Sequence, residues 1–259
     1  MSRIANLAIL LASLTLTAQA KESRWFESDE VSLRFFIAGD GPTVVLLHGF
    51  SGSAEGLYIN PGTFDALVDA GFRVVALDQR GHAGSDKPHQ ADAYGLNMVE
   101  DVRRLLDHLN VSRTHLIGYS MGAKVSNSFR QAYPERLMSI TLGGYGWPWR
   151  SAESSLGDAR RRLDTRPVLP GNDLDALAAV SVGMADLHSS EESLRTNDVP
   201  AFAIIGDKDE VVPRDDFTEL SSTMSNLSTT VIPGTHAGPD GAPYKPVFAD
   251  KLIGFLKSL

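Results

Sequence analysis

A serine held between two glycines, where an apolar run gives way to a helical segment, limits most strongly how this 259-residue chain can fold. The run His115-Leu116-Ile117 reads as a buried strand, residues 123–131 read as a helix, and Gly118-Tyr119-Ser120-Met121-Gly122 lies between them. A turn this sharp lifts the serine hydroxyl clear of the backbone. It also demands tiny residues two before and two after the serine, so that strand and helix can approach. Gly118 and Gly122 meet that demand.

The rest of the chain extends this βα unit. Strand-like stretches at 31–38, 43–48, 73–78, 114–119, 137–143, 201–206 and 228–232 alternate with helical ones at 61–70, 97–109, 121–132, 214–223 and 244–258. Alternation of this kind predicts an α/β class with a mostly parallel sheet flanked by helices. In the 97–109 segment, Met98, Val102, Leu105, Leu106 and Leu109 share one face while Glu100, Arg103 and Arg104 point away. Residues 146–198 break the alternation and far exceed the usual connection of about 2 to 6 residues. They predict a short inserted lid within one domain spanning 21–259. Arg160-Arg161-Arg162 and several acidic residues there surround Trp147, Trp149, Leu163, Val168, Leu169, Leu174, Leu177, Val180 and Met184. Part of this group is expected to pack on itself and part to roof a pocket. Tyr145 and Trp147, nearest the strand end, are the candidate substrate contacts.

The pentapeptide alone is equally compatible with a plain glycine turn, so its partners decide. A serine hydroxyl is a poor nucleophile at neutral pH; an imidazole must take its proton, and a carboxylate must hold that imidazole in the right tautomer. When the serine sits on such a turn, the order along the chain is Ser, then Asp or Glu, then His. Of seven histidines, His188 and His236 follow Ser120. His188 lies in a polar stretch of low periodicity, whereas His236 follows the strand-like Val231-Ile232 and a Gly234 loop, which favours His236. For the acid, the apolar strand at 201–206 leads into Asp207-Lys208-Asp209. Ligands of open α/β sheets bind outside the carboxyl ends of strands, so both aspartates are placed to serve.

With these stretches in view the chain resembles the α/β-hydrolase family. Val44-Val45-Leu46-Leu47-His48-Gly49-Phe50 is similar to its strand and oxyanion loop, and Asp78-Gln79-Arg80-Gly81-His82 to the loop after the next strand. Gly206-Asp207-Lys208-Asp209 and Gly234-Thr235-His236 are similar to its acid and histidine motifs. The resemblance implies Ser120 as nucleophile, His236 as general base, Asp209 as the orienting acid, and the backbone N–H groups of Phe50 and Met121 as oxyanion donors. It implies cleavage of a small or medium carboxylic ester or lactone through an acyl-enzyme, with neither metal nor cofactor. Carbon–carbon bond hydrolysis or perhydrolysis on the same residues is the alternative, and a ligand-binding protein without activity the remote one. His48, Arg80 and His82 are expected to brace loops. The family loop usually reads Arg-Gly-x-Gly, whereas this chain has Arg80-Gly81-His82-Ala83-Gly84. If position 83 needs a positive φ, Gly84 is expected to take it over.

Residues 1–20 read as a signal peptide: Arg3, an apolar core over 4–16, and Ala18-Gln19-Ala20 as a cleavage site. The core is shorter than the roughly 20 residues that span a bilayer, so the expectation is export to periplasm or medium without stable membrane insertion. The formal charge is −8, and removing Arg3 with the leader makes it −9. That acidity argues against nucleic-acid and anionic-membrane partners, and the resemblance implies a small-molecule substrate. There is no cysteine, so no disulfide braces the fold.

Overall fold

The computed structural model describes residues 21–147, 155–165 and 171–259. The expected signal peptide therefore lies outside the described residues, as do Trp149, Val168 and Leu169 of the insert. Eight strands form one sheet: β1 (Glu22–Ser28), β2 (Val31–Ala38), β3 (Thr43–Leu47), β4 (Arg73–Leu77), β5 (Thr114–Tyr119), β6 (Leu137–Gly143), β7 (Ala201–Gly206) and β8 (Leu227–Ile232). Their order is β1-β2-β4-β3-β5-β6-β7-β8, antiparallel from β1 to β4 and parallel from there on.

The central strands are apolar on both faces because both are covered. Leu33, Phe35, Val45, Leu47, Val75 and Leu77 join one core with Met98, Val102 and Leu105 of α2 (Leu96–His108), Val125 and Phe129 of α3 (Met121–Ala132), and Phe217 and Leu220 of the later helix Arg214–Thr223. The alternate strand residues, Phe36, Val44, Leu46, Val74 and Ala76, join the other core with Phe64 and Leu67 of α1 (Thr63–Asp69) and Phe248 and Leu252 of the last helix, Pro246–Leu256. The period of two along each strand thus sorts neighbours onto opposite layers.

Three features depart from the sequence reading. β1 was not anticipated: most of its residues are exposed, so it carries no apolar run, and its hairpin to β2 turns on Asp29 and Glu30, both at positive φ, with neither Gly nor Asn as a signal. The insert between β6 and β7 contains α4 (Leu156–Asp164), α5 (Leu174–Gly183) and α6 (Glu191–Thr196). Ala159 and Leu163 of α4 pack on Leu177 and Ala178 of α5, and Phe50 leans on this small cluster. Finally, Ala83 itself adopts φ 45°, and Gly84 does not take over the left-handed conformation. A Cβ on Gly84 would sit 2.2 Å from Nε of Arg34, so a side chain there would displace the guanidinium that bonds Asp78. α7 (Arg214–Thr223) and α8 (Pro246–Leu256) complete the α-helices among the described residues.

Candidate active site

Ser120 occupies the one-residue link between β5 and α3, with φ 53° and ψ −114°. That conformation is costly for a non-glycine residue and persists only where its surroundings hold it. Its N–H donates to the Gly143 carbonyl at 2.8 Å and its carbonyl accepts from Lys124 N at 3.0 Å. The flanking glycines give the room: a Cβ on Gly118 would sit 2.2 Å from the Gly122 carbonyl oxygen, and one on Gly122 would sit 2.1 Å from that of Leu47.

His236 follows β8, and the Asp209 loop follows the adjacent β7, so two neighbouring parallel strands deliver the imidazole and the carboxylate to the same end of the sheet. His236 Nε2 lies 2.9 Å from Ser120 Oγ, and His236 Nδ1 lies 2.8 Å from Asp209 Oδ2 and 3.1 Å from Oδ1. Asp209 Oδ1 also accepts from the amides of Val211 and Val212, each at 2.9 Å, which locks the carboxylate plane. The Asp209 side chain is 1% exposed and His236 is 7% exposed. Burial alone would push the Asp209 carboxyl up; the bond and charge of His236, together with the two amides, outweigh it and hold the group below its ordinary value. Asp207, the competing candidate, instead accepts from Gly234 N at 2.8 Å and shapes the histidine loop.

Two further groups fix His236. Its N–H donates to Glu210 Oε2 at 3.2 Å, and its carbonyl accepts from the Tyr119 hydroxyl at 2.7 Å. Burial raises the Tyr119 phenol, which keeps it protonated as a donor. Neither residue was singled out from the sequence. Glu210 looks like one more loop carboxylate, and Tyr119 fills a variable position of the pentapeptide.

On the opposite side, His48 Nε2 accepts from Gln79 N at 3.0 Å, so its Nδ1 carries the hydrogen and donates to the Gly49 carbonyl at 2.8 Å. Gln79 returns a bond from Nε2 to the His48 carbonyl at 2.6 Å. These bonds hold the peptide leading into Phe50. Neither the Phe50 nor the Met121 N–H has a hydrogen-bond partner among the described residues, which leaves both able to donate to a bound oxygen. His82 lies with its ring 5.0 Å from that of His48; burial first, then His48, pushes it down to about 3, so it is neutral. Arg80 ties the next loop to α2 through Asp101, at 2.6 and 2.5 Å, and to the Ala93 carbonyl at 2.6 Å.

A cavity of about 270 Å³ opens beside Ser120, lined chiefly by Phe50, Leu57, Tyr119, His236 and Tyr244 with the glycine-rich segment 49–53. Tyr145 and Trp147, the expected contacts, do not line it. Tyr145 is buried with its hydroxyl accepting from Asn127 at 3.2 Å, and Trp147 Nε1 donates to the Ser189 carbonyl at 3.3 Å. After β6 the chain runs past α3 and α7, where Trp147 N donates to the Asp216 carbonyl at 3.0 Å. Among the described residues no group of three or more His, Asp or Glu side chains is arranged to hold a metal, and no helix is long and apolar enough to cross a membrane.

The sequence profile of the alpha/beta hydrolase fold matches residues 42–168, the stretch that carries the Phe50 loop, Ser120 and α3. The chain has the α/β-hydrolase fold. It is 36% identical over 141 residues to a 2-hydroxy-6-oxo-6-phenylhexa-2,4-dienoate hydrolase of Comamonas testosteroni, covering 51% of this chain and 48% of that protein. The match thus spans about half the length of that relative. Among solved α/β hydrolases, an enol-lactonase of Burkholderia xenovorans superposes with a TM-score of 0.76 at 16% identity, covering 90% of this chain and 100% of the other. A carboxylesterase structure from Nitrososphaera gargenis superposes with a TM-score of 0.75 at 22% identity, covering 92% and 98%. At such identities these are likenesses of fold.

Proposed function

We propose that this α/β hydrolase cleaves small, uncharged carboxylic esters or lactones through an acyl-enzyme on Ser120. The observation that carries the reading is the unbroken chain of contacts from Asp209 through His236 to Ser120 Oγ, at 2.8 and 2.9 Å, beside a cavity of about 270 Å³. His236 takes the Ser120 proton as Oγ attacks the carbonyl carbon, and Asp209 stabilises the imidazolium that forms. The N–H groups of Phe50 and Met121 receive the developing oxyanion, each donor contributing about 3 to 4 kcal/mol to the transition state. His236 then passes its proton to the departing alcohol. Water, activated by the same imidazole, releases the acid.

The preference for an uncharged substrate rests on the cavity wall, which among the described residues includes no Lys, Arg, Asp or Glu side chain. A carboxylate brought into such a site would lose its hydration without gaining a cation. Carbon–carbon bond hydrolysis remains the second reading, favoured by the 36% identity to the dienoate hydrolase. We also propose, from the composition of residues 1–20, that the enzyme acts after export. The test of substrate class is turnover of nitrophenyl esters from acetate to octanoate, simple lactones and a 2-hydroxy-6-oxo-dienoate. Neutral esters or lactones should dominate in kcat/KM. Dominance of the dienoate would replace this reading with the carbon–carbon one.

A further inference from the structure

The polar side chains on the cavity wall are not equivalent. The Tyr119 hydroxyl is committed to the His236 carbonyl, and Ser53 Oγ accepts from Gly56 N at 2.9 Å. Ser51 and Ser53 lie where this cavity meets a second one, lined by Arg34, Glu55 and Ala83. The Tyr244 hydroxyl has no hydrogen-bond partner among the described residues, although Tyr244 is 36% exposed and faces the same space as Ser120 and His236.

Tyr244 is also held in place. Gly241 approaches its ring so closely that a Cβ there would sit 2.9 Å from Cδ2 and Cε2. Tyr244 N donates to the Gly241 carbonyl at 3.1 Å, and the loop closes on itself through Ala242 N to the Thr235 carbonyl at 2.8 Å. His236 and Tyr244 are therefore carried by one braced loop. Burial raises the Tyr244 phenol above its ordinary value, so it is a donor at neutral pH.

His236 must hand its proton to the leaving oxygen, which places the departing alcohol against the wall built by His236, Ala237 and Tyr244. We infer that Tyr244 is a specificity-determining residue whose hydroxyl donates to an ether or hydroxyl oxygen in the alcohol part of the substrate. The inference rests on the hydrolase reading of Ser120 given above. An alcohol that offers an oxygen there gives the phenol a partner. A hydrocarbon chain of equal length displaces water from the phenol without replacing its bond and loses ground for that reason.

The experiment compares 2-methoxyethyl acetate with n-butyl acetate, which match in length and yield the same acetyl-enzyme, so that kcat/KM differs only through the leaving group. Acid release is followed by titration in wild type and Tyr244→Phe. The wild type should favour the methoxyethyl ester. Tyr244→Phe should lose roughly three- to tenfold on that ester relative to the butyl ester, the size of one net hydrogen bond. An equal fall on both esters, or an unchanged ratio between them, would overturn the inference while leaving Ser120 as the nucleophile. No turnover of either ester and no acetylation of Ser120 in the wild type would overturn the hydrolase reading, and Tyr244 with it.

Discussion

Replacing Asp209 by Asn changes one atom, and the structure dictates which way the new amide must face. Oδ1 accepts from two backbone amides at 2.9 Å, so the asparagine oxygen stays there and its NH2 takes the place of Oδ2, 2.8 Å from His236 Nδ1. An amide donor at that point forces Nδ1 to be the acceptor and moves the imidazole hydrogen to Nε2. There it faces Ser120 Oγ and cannot take its proton. The expected loss is about 10⁴ in kcat, or about 5 kcal/mol in the barrier. Asp207→Asn retains an acceptor for Gly234 N and should change kcat by well under tenfold. Turnover of a nitrophenyl ester decides the kinetics, and thermal melting from pH 3 to 7 decides the electrostatics. The Asp209 carboxyl is held below its ordinary value, so its charged contacts contribute stability above an unfolded value of about 3.9. The melting advantage of wild type over Asp209→Asn should therefore be full at neutral pH and begin to shrink as the pH falls below about 4 toward the lowered folded value. A dead Asp207→Asn beside a near-normal Asp209→Asn would refute the reasoning.

Gly122→Ala puts a methyl group 2.1 Å from the Leu47 carbonyl oxygen, so β3 and α3 must separate; we expect a loss of at least about 1 to 3 kcal/mol in denaturant unfolding, together with reduced kcat. A variant of wild-type stability would contradict the close approach. Arg80→Leu strands the Asp101 carboxylate, whose side chain is 2% exposed, with Ser28 as its remaining close side-chain partner; it should cost about 3 to 5 kcal/mol, and adding Asp101→Asn should recover part of the loss, both read by denaturation. Export predicts a mature protein beginning at Lys21, checked by intact mass of the periplasmic or secreted material; an unprocessed chain with Met1, confined to the cytoplasm, would reject it.

What was legible in the sequence was what local chemistry determines. Buried strands announce themselves as apolar runs, and the Ser120 turn by its two glycines. The acid assignment rested on the spacing from Gly206, and the structure brings Asp209, not Asp207, within reach of His236. β1 escaped because an exposed edge strand closed by Asp29-Glu30 has neither an apolar run nor a glycine turn. The cavity wall escaped for a different reason. Leu57, Tyr119 and Tyr244 come from three separated segments, and only the folded sheet brings them together. Proximity in sequence suggested Tyr145 and Trp147 instead, and tertiary packing turns both into other contacts.

The central claim is that Ser120 is a nucleophile activated by His236. A fluorophosphonate probe tests it directly, since only an activated serine hydroxyl attacks the phosphorus rapidly at neutral pH. Peptide mapping of the labelled protein should place a single phosphonate adduct on Ser120, with labelling lost in Ser120→Ala and sharply slowed in His236→Ala. An unmodified Ser120 in folded wild-type protein, or labelling that persists undiminished in Ser120→Ala, would contradict the account.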